Sequence, residues 1–129
     1  MSSRAGLSLA LAVAVLLQAA PSAAHHGAGV FEPEKKVMTV GVVTDFQFVN
    51  PHVLVYWMVK GGDGKEVAWS GEFTSPNRFV RMSGDVHWYK TILKPGDRVT
   101  IEGHPARNGA PAMDITKIVD AQGAVLISD

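Results

Sequence analysis

The chain has 129 residues, with 12 Lys and Arg, 12 Asp and Glu, and no cysteine. Without cysteine there are no disulfides, no thiolate metal ligands and no cysteine nucleophile. The balanced charge disfavours nucleic acid and anionic lipid as partners, because both attract basic proteins.

The N-terminal segment has the pattern of a secretory signal peptide. Arg4 precedes an apolar run from Leu7 to Leu17, and a small-residue stretch ending at Ala24 leads directly into His25. This order of a basic, an apolar and a small-residue region predicts cleavage after Ala24. We therefore expect the mature protein to be periplasmic or secreted and to begin with His25.

Three parts are expected along the chain. These are a leader over residues 1–24, an N-terminal arm over 25–36 and a single β-barrel domain over 37–129, which is long enough for one compact core. The longest uninterrupted apolar run of the mature chain spans only residues 53–59. A membrane helix needs about 20 apolar residues, so we expect no membrane span in the mature chain.

The first two strands are predicted on either side of a corner. Over residues 37–49, one parity is apolar and should form the buried face of a long strand: Met38, Val40, Val42, Phe46 and Phe48. Gly41 indicates a bend or bulge. Asn50 and Pro51 interrupt the pattern, a second strand follows over 52–60, and the glycine-rich segment 61–64 has the composition of a hairpin turn.

A third strand is predicted over residues 66–74, where apolar and polar residues alternate. Ser75 and Pro76 then predict the start of a short helix. A turn at 94–97 precedes a fourth strand that carries His104 on its polar parity. A fifth strand is expected over 112–119, with an alternation that slips near Lys117, and a short sixth over 124–127.

The order of these elements predicts the fold class. Three strands, a short helix and two or three more strands match a mainly β, five- or six-stranded barrel of the oligonucleotide/oligosaccharide-binding (OB) type. A small open sandwich is the alternative. We favour the barrel because closure protects the strand edges of so short a chain. The fold does not define the function, since this architecture carries many unrelated sites.

The chain resembles a family of small exported bacterial proteins with a domain of unknown function. The resemblance lies in five segments spread over the mature chain: His25 to Gly27, Asn50 to His52, Ser75 to Asn77, Leu93 to Asp97, and Gly103 to Gly109. It implies export and a small β-barrel but no established activity. His104 departs from the family pattern, because similar sequences often place an aromatic residue there.

Five histidines are the main candidates for chemistry, and His25 comes first. After cleavage, His25 carries a free α-amine and an imidazole, which together form a chelating pair that Cu²⁺ and other late first-row ions favour. A third nitrogen from elsewhere would complete a T-shaped histidine brace, a geometry that suits copper. The sequence therefore predicts a metal-binding terminus, although a solvated tail explains His25 and His26 equally well.

The other ligands are less defined by the sequence. His26 offers a ring or a backbone nitrogen, and His52 follows the Asn-Pro corner at a strand start, which is a rigid place for a ligand. His104 is a weaker candidate. The alternatives are a hydrogen-bonding role at the corner for His52 and a surface role for His104. His87 lies beside Trp88, and packing explains it adequately.

The remaining sulfur and aromatic side chains are explained by packing. The apolar positions of the four mature methionines, Met38, Met58, Met82 and Met113, predict core packing over Cu(I) ligation. The inward parity of Trp69 likewise predicts a structural role. No nucleophile elbow, paired acidic motif or phosphate-binding loop is visible, so an enzyme is disfavoured without being excluded.

Three functions compete on this basis. The first is a periplasmic protein that binds copper or another metal ion through His25, with His26 or His52, and buffers the ion or delivers it to a periplasmic protein partner. The second is a non-catalytic OB-like module that binds a peptide, glycan or small molecule, with contacts from Asn50, His52, Trp57 and Trp88. The third is a metal-dependent oxidase, which requires an open copper position.

Overall fold

A computed structural model describes residues 29–83 and 90–128 of the chain. The described part is mainly β, with one short helix, α1 (Pro76–Ser83), after the third strand. Its six strands are β1 (Val37–Gln47), β2 (Leu54–Lys60), β3 (Glu66–Glu72), β4 (Arg98–Pro105), β5 (Ala112–Asp120) and β6 (Val125–Ser128). No helix within the described ranges is long and apolar enough to cross a membrane.

Five of the strands close into a barrel. The sheet has the order β3-β2-β1-β4-β5-β6, and its neighbouring strands are antiparallel. A parallel pairing of Ser70–Glu72 in β3 with Ala112–Asp114 in β5 joins the two ends of the five-stranded part. With α1 between β3 and β4, this is the strand order of the OB fold, so the predicted fold class is confirmed.

The barrel interior is filled by one apolar core. Trp57 of β2 is 0% exposed, and its ring stacks on Trp69 of β3 with the centroids 6.0 Å apart. The indole Nε1–H of Trp57 donates a hydrogen bond to Oγ1 of Thr39 at 3.0 Å. The largest side chains buried around it are Ile101, Met113, Ile115, Ile118, Val43, Val53, Val55 and Val99. The predicted structural role of Trp69 is consistent with this packing.

In the first half of β1, the buried face is the opposite of the predicted one. Met38, Val40 and Val42 point outward and are 65%, 47% and 38% exposed. We call these three residues the β1 stripe. Gly41 on the opposite parity explains the arrangement, because β2 approaches so closely that a Cβ there would lie 2.8 Å from Cδ1 of Trp57.

The second half of β1 turns the other way. The pairing of β1 with β2 shifts register between Val43 and Asp45, which marks a bulge. A one-residue bulge exchanges the two faces of a strand. Phe46 and Phe48 therefore pack against the core as predicted, although Met38 and its neighbours on the same parity do not.

Two local predictions are confirmed. Ser75 precedes α1, and its Oγ accepts a hydrogen bond from the backbone N–H of Arg78 at 3.3 Å, as expected for an N-cap. In β5, the slip near Lys117 is a bulge. Lys117 faces Glu102 and Ile115 faces Gly103, so Thr116 is the extra residue between them.

Candidate functional site

A cavity of about 390 Å³ lies where β3 and β5 close the barrel. Its walls come from the segment before β2, the end of β3, α1, the end of β4, the start of β5 and the N-terminal arm. The lining residues are Phe31, Pro33, His52, Glu72, Phe73, Thr74, Arg78, His104, Asp114 and Ile115. Most of the polar side chains in this set are able to ionise, which sets the cavity apart from the apolar core.

The N-terminal arm is fixed to the barrel beside this cavity. Phe31 forms an antiparallel bridge with Ala106, just beyond the end of β4. The backbone N–H of Glu32 donates to the carbonyl oxygen of Pro105 at 2.9 Å, and the N–H of Arg107 donates to that of Val30, also at 2.9 Å. These bonds hold Phe31 in the cavity wall.

His52 is oriented by a carboxylate from the neighbouring strand. Its Nδ1 lies 3.3 Å from Oε2 of Glu72, and both side chains are partly buried. An ionised carboxylate only accepts hydrogen bonds, so this contact favours a proton on Nδ1. In the neutral ring the lone pair then resides on Nε2, which is the nitrogen of His52 that suits metal ligation.

His104 is oriented by the arm. Its Nδ1 lies 2.7 Å from the backbone carbonyl oxygen of Lys35. A carbonyl oxygen is an acceptor, so Nδ1 carries the proton and, in the neutral ring, Nε2 carries the lone pair. Metal-binding histidines commonly donate their second ring nitrogen to a carbonyl or carboxylate in this way. His104 therefore has an environment suited to a ligand, as well as a surface position.

The described residues alone do not form a complete metal centre. Among residues 29–83 and 90–128, no three His, Asp or Glu side chains are grouped so that they could hold an ion together. Glu72, Asp114 and Arg78 add two carboxylates and a guanidinium to the imidazoles of His52 and His104. The set offers nitrogen and oxygen donors with one strong cation, which suits a metal ion completed by further ligands or a small polar molecule.

The structure describes some of the candidate residues and brings two of them together. His25 and His26 lie outside the described residues, as do His87 and Trp88. His52 and His104 line the same cavity. The sequence did not indicate Glu72 and Asp114 as site residues, because each occupies an ordinary polar position of an alternating strand.

Three further expectations concern side chains outside this cavity. Trp57 is wholly buried, so the prediction that it contacts a ligand is wrong. Met113 is buried as expected. The prediction that Met38 packs in the core is wrong, because this side chain lies on the outer face of β1. Asn50 is exposed beside the corner that precedes His52 and does not line the cavity.

Solved structures with a similar fold are remote in sequence. One is the mitochondrial single-stranded DNA-binding protein Rim1 of S. cerevisiae, with 12% identity over 74% of this chain and 96% of that chain and a TM-score of 0.49. Another is TiaS in a complex with a tRNA and ATP, with 16% identity over 70% of this chain and 19% of that one and a TM-score of 0.43. The fold assignment rests on the strand order described above.

No curated protein matches the sequence. A family model does match, over residues 12–123, and this range contains every strand from β1 to β5 together with the cavity. The resemblance drawn from the sequence motifs agrees with this match. The chain belongs to the family of unknown function DUF6152.

Proposed function

We propose that the exported chain is a periplasmic metal-binding protein, with copper as the favoured ion. In this proposal the α-amine and imidazole of His25 chelate the ion, and His104 or His52 supplies a third nitrogen. His26 contributes a ring or backbone nitrogen where the geometry requires one. The protein then buffers the ion or delivers it to a partner in the same compartment.

One observation carries this proposal: the arm that leads back to His25 is attached to the wall of the cavity that His52 and His104 line. His25 precedes Phe31 by six positions in the sequence. Extended chain spans about 3.3 to 3.6 Å per residue, so these residues reach roughly 20 Å. A chain cleaved after Ala24 would thus be long enough for His25 to approach the cavity that both imidazoles line, which supports the proposal.

The chemistry of the donors favours copper among the available ions. Imidazole and amine nitrogens suit Cu²⁺, and Cu²⁺ binds most strongly among the divalent first-row ions at sites of this type. The Glu72 carboxylate beside His52 and the Lys35 carbonyl beside His104 would fix the orientation of the two rings as ligands. A hard cation such as Mg²⁺ would instead favour a site made mainly of oxygen atoms.

Electron paramagnetic resonance of the Cu²⁺-loaded, processed protein tests the ligand set. The proposal predicts nitrogen couplings from the His25 amine, the His25 ring and at least one ring of the barrel. Replacing His104 and His52 together with alanine should remove the barrel coupling and leave the terminal chelate. A spectrum that the double substitution leaves unchanged would show that the barrel supplies no ligand.

A second candidate is a non-catalytic module that binds a small polar molecule in the same cavity. The volume of about 390 Å³ and the mixture of Arg78 with Glu72 and Asp114 support this alternative. Such cavities usually combine an apolar wall with a few polar groups, here with Phe31 and Phe73 on the apolar side. Ligand binding that persists in excess chelator and after substitution of His25 would favour this function over metal binding.

A further inference from the structure

The β1 stripe is an apolar surface on the outside of the barrel, and none of its three residues lines the cavity. Met38, Val40 and Val42 occupy successive outward positions of one strand. β1 is paired on both sides, with β2 and β4, so its backbone is not an open edge. Contiguous apolar side chains on the surface of a small exported domain commonly mark an interaction site.

The charges beside the stripe have a two-fold arrangement. On β4, the cross-strand neighbours of Met38, Val40 and Val42 are Glu102, Thr100 and Arg98. Glu102 thus lies at one end of the stripe, with its Oε1 3.2 Å from Nζ of Lys36 in the same chain, and Arg98 lies at the other end, with Thr100 between them. A two-fold axis near Val40 would exchange the two ends. It would bring Glu102 of one copy to Arg98 of the other.

The two ends of this surface are complementary in shape, since one end protrudes and the other contains a groove. Met38 is the most exposed of the large apolar side chains in the described part of the chain. At the opposite end, a groove of about 310 Å³ is lined by Val40, Gly41, Val42, Met58, Lys60, Glu66 and Arg98. The same two-fold axis would place Met38 of each copy over the groove of its partner. Methionine is flexible and fits irregular apolar gaps.

We propose that the β1 stripe is the interface of a homodimer. Two barrels pack through the outer faces of β1 and β4, with Met38 of each copy in the groove of the other and with Glu102 paired to Arg98 across the axis. The interface is isologous, which is the commonest symmetry of soluble oligomers. None of the residues that it uses lines the cavity with His52 and His104, so the dimer does not depend on the proposed metal site.

A charge exchange tests the pairing that the two-fold axis requires. Sedimentation equilibrium of the protein recovered from cells expressing the full chain should show a reversible monomer and dimer. Arg98→Glu should raise the dimer dissociation constant about tenfold or more, because it opposes two carboxylates. Glu102→Arg should do the same, and the double exchange should return the constant to within about threefold of its original value.

A matched pair of apolar positions tests the stripe itself. Val40 and Val125 are similarly exposed, at 47% and 53%, but Val125 lies in β6. Val40→Lys should abolish the dimer while Val125→Lys leaves it intact, with both variants folded by circular dichroism. A monomer at the highest soluble concentration, a double exchange that fails to restore dimerisation, or equal effects of the two lysine variants would overturn the proposal.

Discussion

Nδ1 of His104 lies 2.7 Å from the backbone carbonyl oxygen of Lys35, so the end of β4 and the N-terminal arm are joined through an imidazole. The arm leads back to His25, and His104 lies in the wall of the cavity that contains His52. This ring thus joins the N-terminal arm to the wall of the cavity.

Replacing His104 tests its role as a ligand. We expect His104→Ala to weaken Cu²⁺ binding by the processed protein by at least about tenfold, because the substitution removes both a nitrogen donor and a bond that holds the arm. Isothermal titration measures this change. His87→Ala is the matched histidine control and should bind as the original chain does. Equal losses in both variants would contradict a specific role for His104.

Substitution of Glu72 tests whether its carboxylate orients the His52 ring. Glu72→Gln keeps the size of the side chain but removes the charge that faces Nδ1 of His52. Substitutions of residues that orient metal ligands commonly cost about 10- to 100-fold in affinity, and we expect a loss in this range. Glu66→Gln, at the other end of β3, is the control. If His52 contributes nothing, the two variants will bind Cu²⁺ equally.

Substitution of Thr39 tests its hydrogen bond with Trp57 inside the barrel. Thr39 accepts the hydrogen bond of Trp57 Nε1–H, and Trp57 is wholly buried. Thr39→Val keeps the shape but leaves this N–H without its acceptor, which should lower the free energy of unfolding by about 1 to 3 kcal/mol. Thr39→Ser retains the hydroxyl and should cost less. Urea denaturation distinguishes these outcomes, and equal losses would argue against the hydrogen bond.

Substitution of Gly103 tests the close packing of β4 on β5 next to His104. A Cβ at Gly103 would overlap the backbone oxygen of Asp114, whereas one at Gly62 would meet nothing within 4 Å. Because backbone atoms cannot yield as a flexible side chain does, Gly103→Ala should destabilise the fold by about 2 to 3 kcal/mol. Gly62→Ala should change stability little. Thermal unfolding of both variants measures the difference, and similar melting temperatures would contradict the packing described.

Local patterns predicted the elements of the fold well. Alternation located the six strands, Ser75 marked the helix start through its capping oxygen, and the break in alternation near Lys117 marked a bulge. These features depend on neighbouring residues, so a single sequence contains them. The order of these elements along the chain then matched that of an OB barrel.

The buried face of β1 and the composition of the cavity did not follow from the sequence. Met38 and Phe46 share a parity, but the bulge after Val43 places them on opposite faces. His52 and His104 are remote in sequence and meet at one cavity only because β3 and β5 close the barrel. Long-range pairings of this kind have no local signal.

The proposed copper site depends on a free terminal amine on His25. The direct measurement is a pair of Cu²⁺ titrations: one on the exported protein whose first residue is confirmed by mass spectrometry as His25, the other on the same chain with one alanine before His25. The added residue separates the amine from the imidazole that completes its chelate ring. We predict that it weakens binding at least about tenfold, or about 1.4 kcal/mol. Equal affinities, or an exported chain that begins at another residue, would contradict the account.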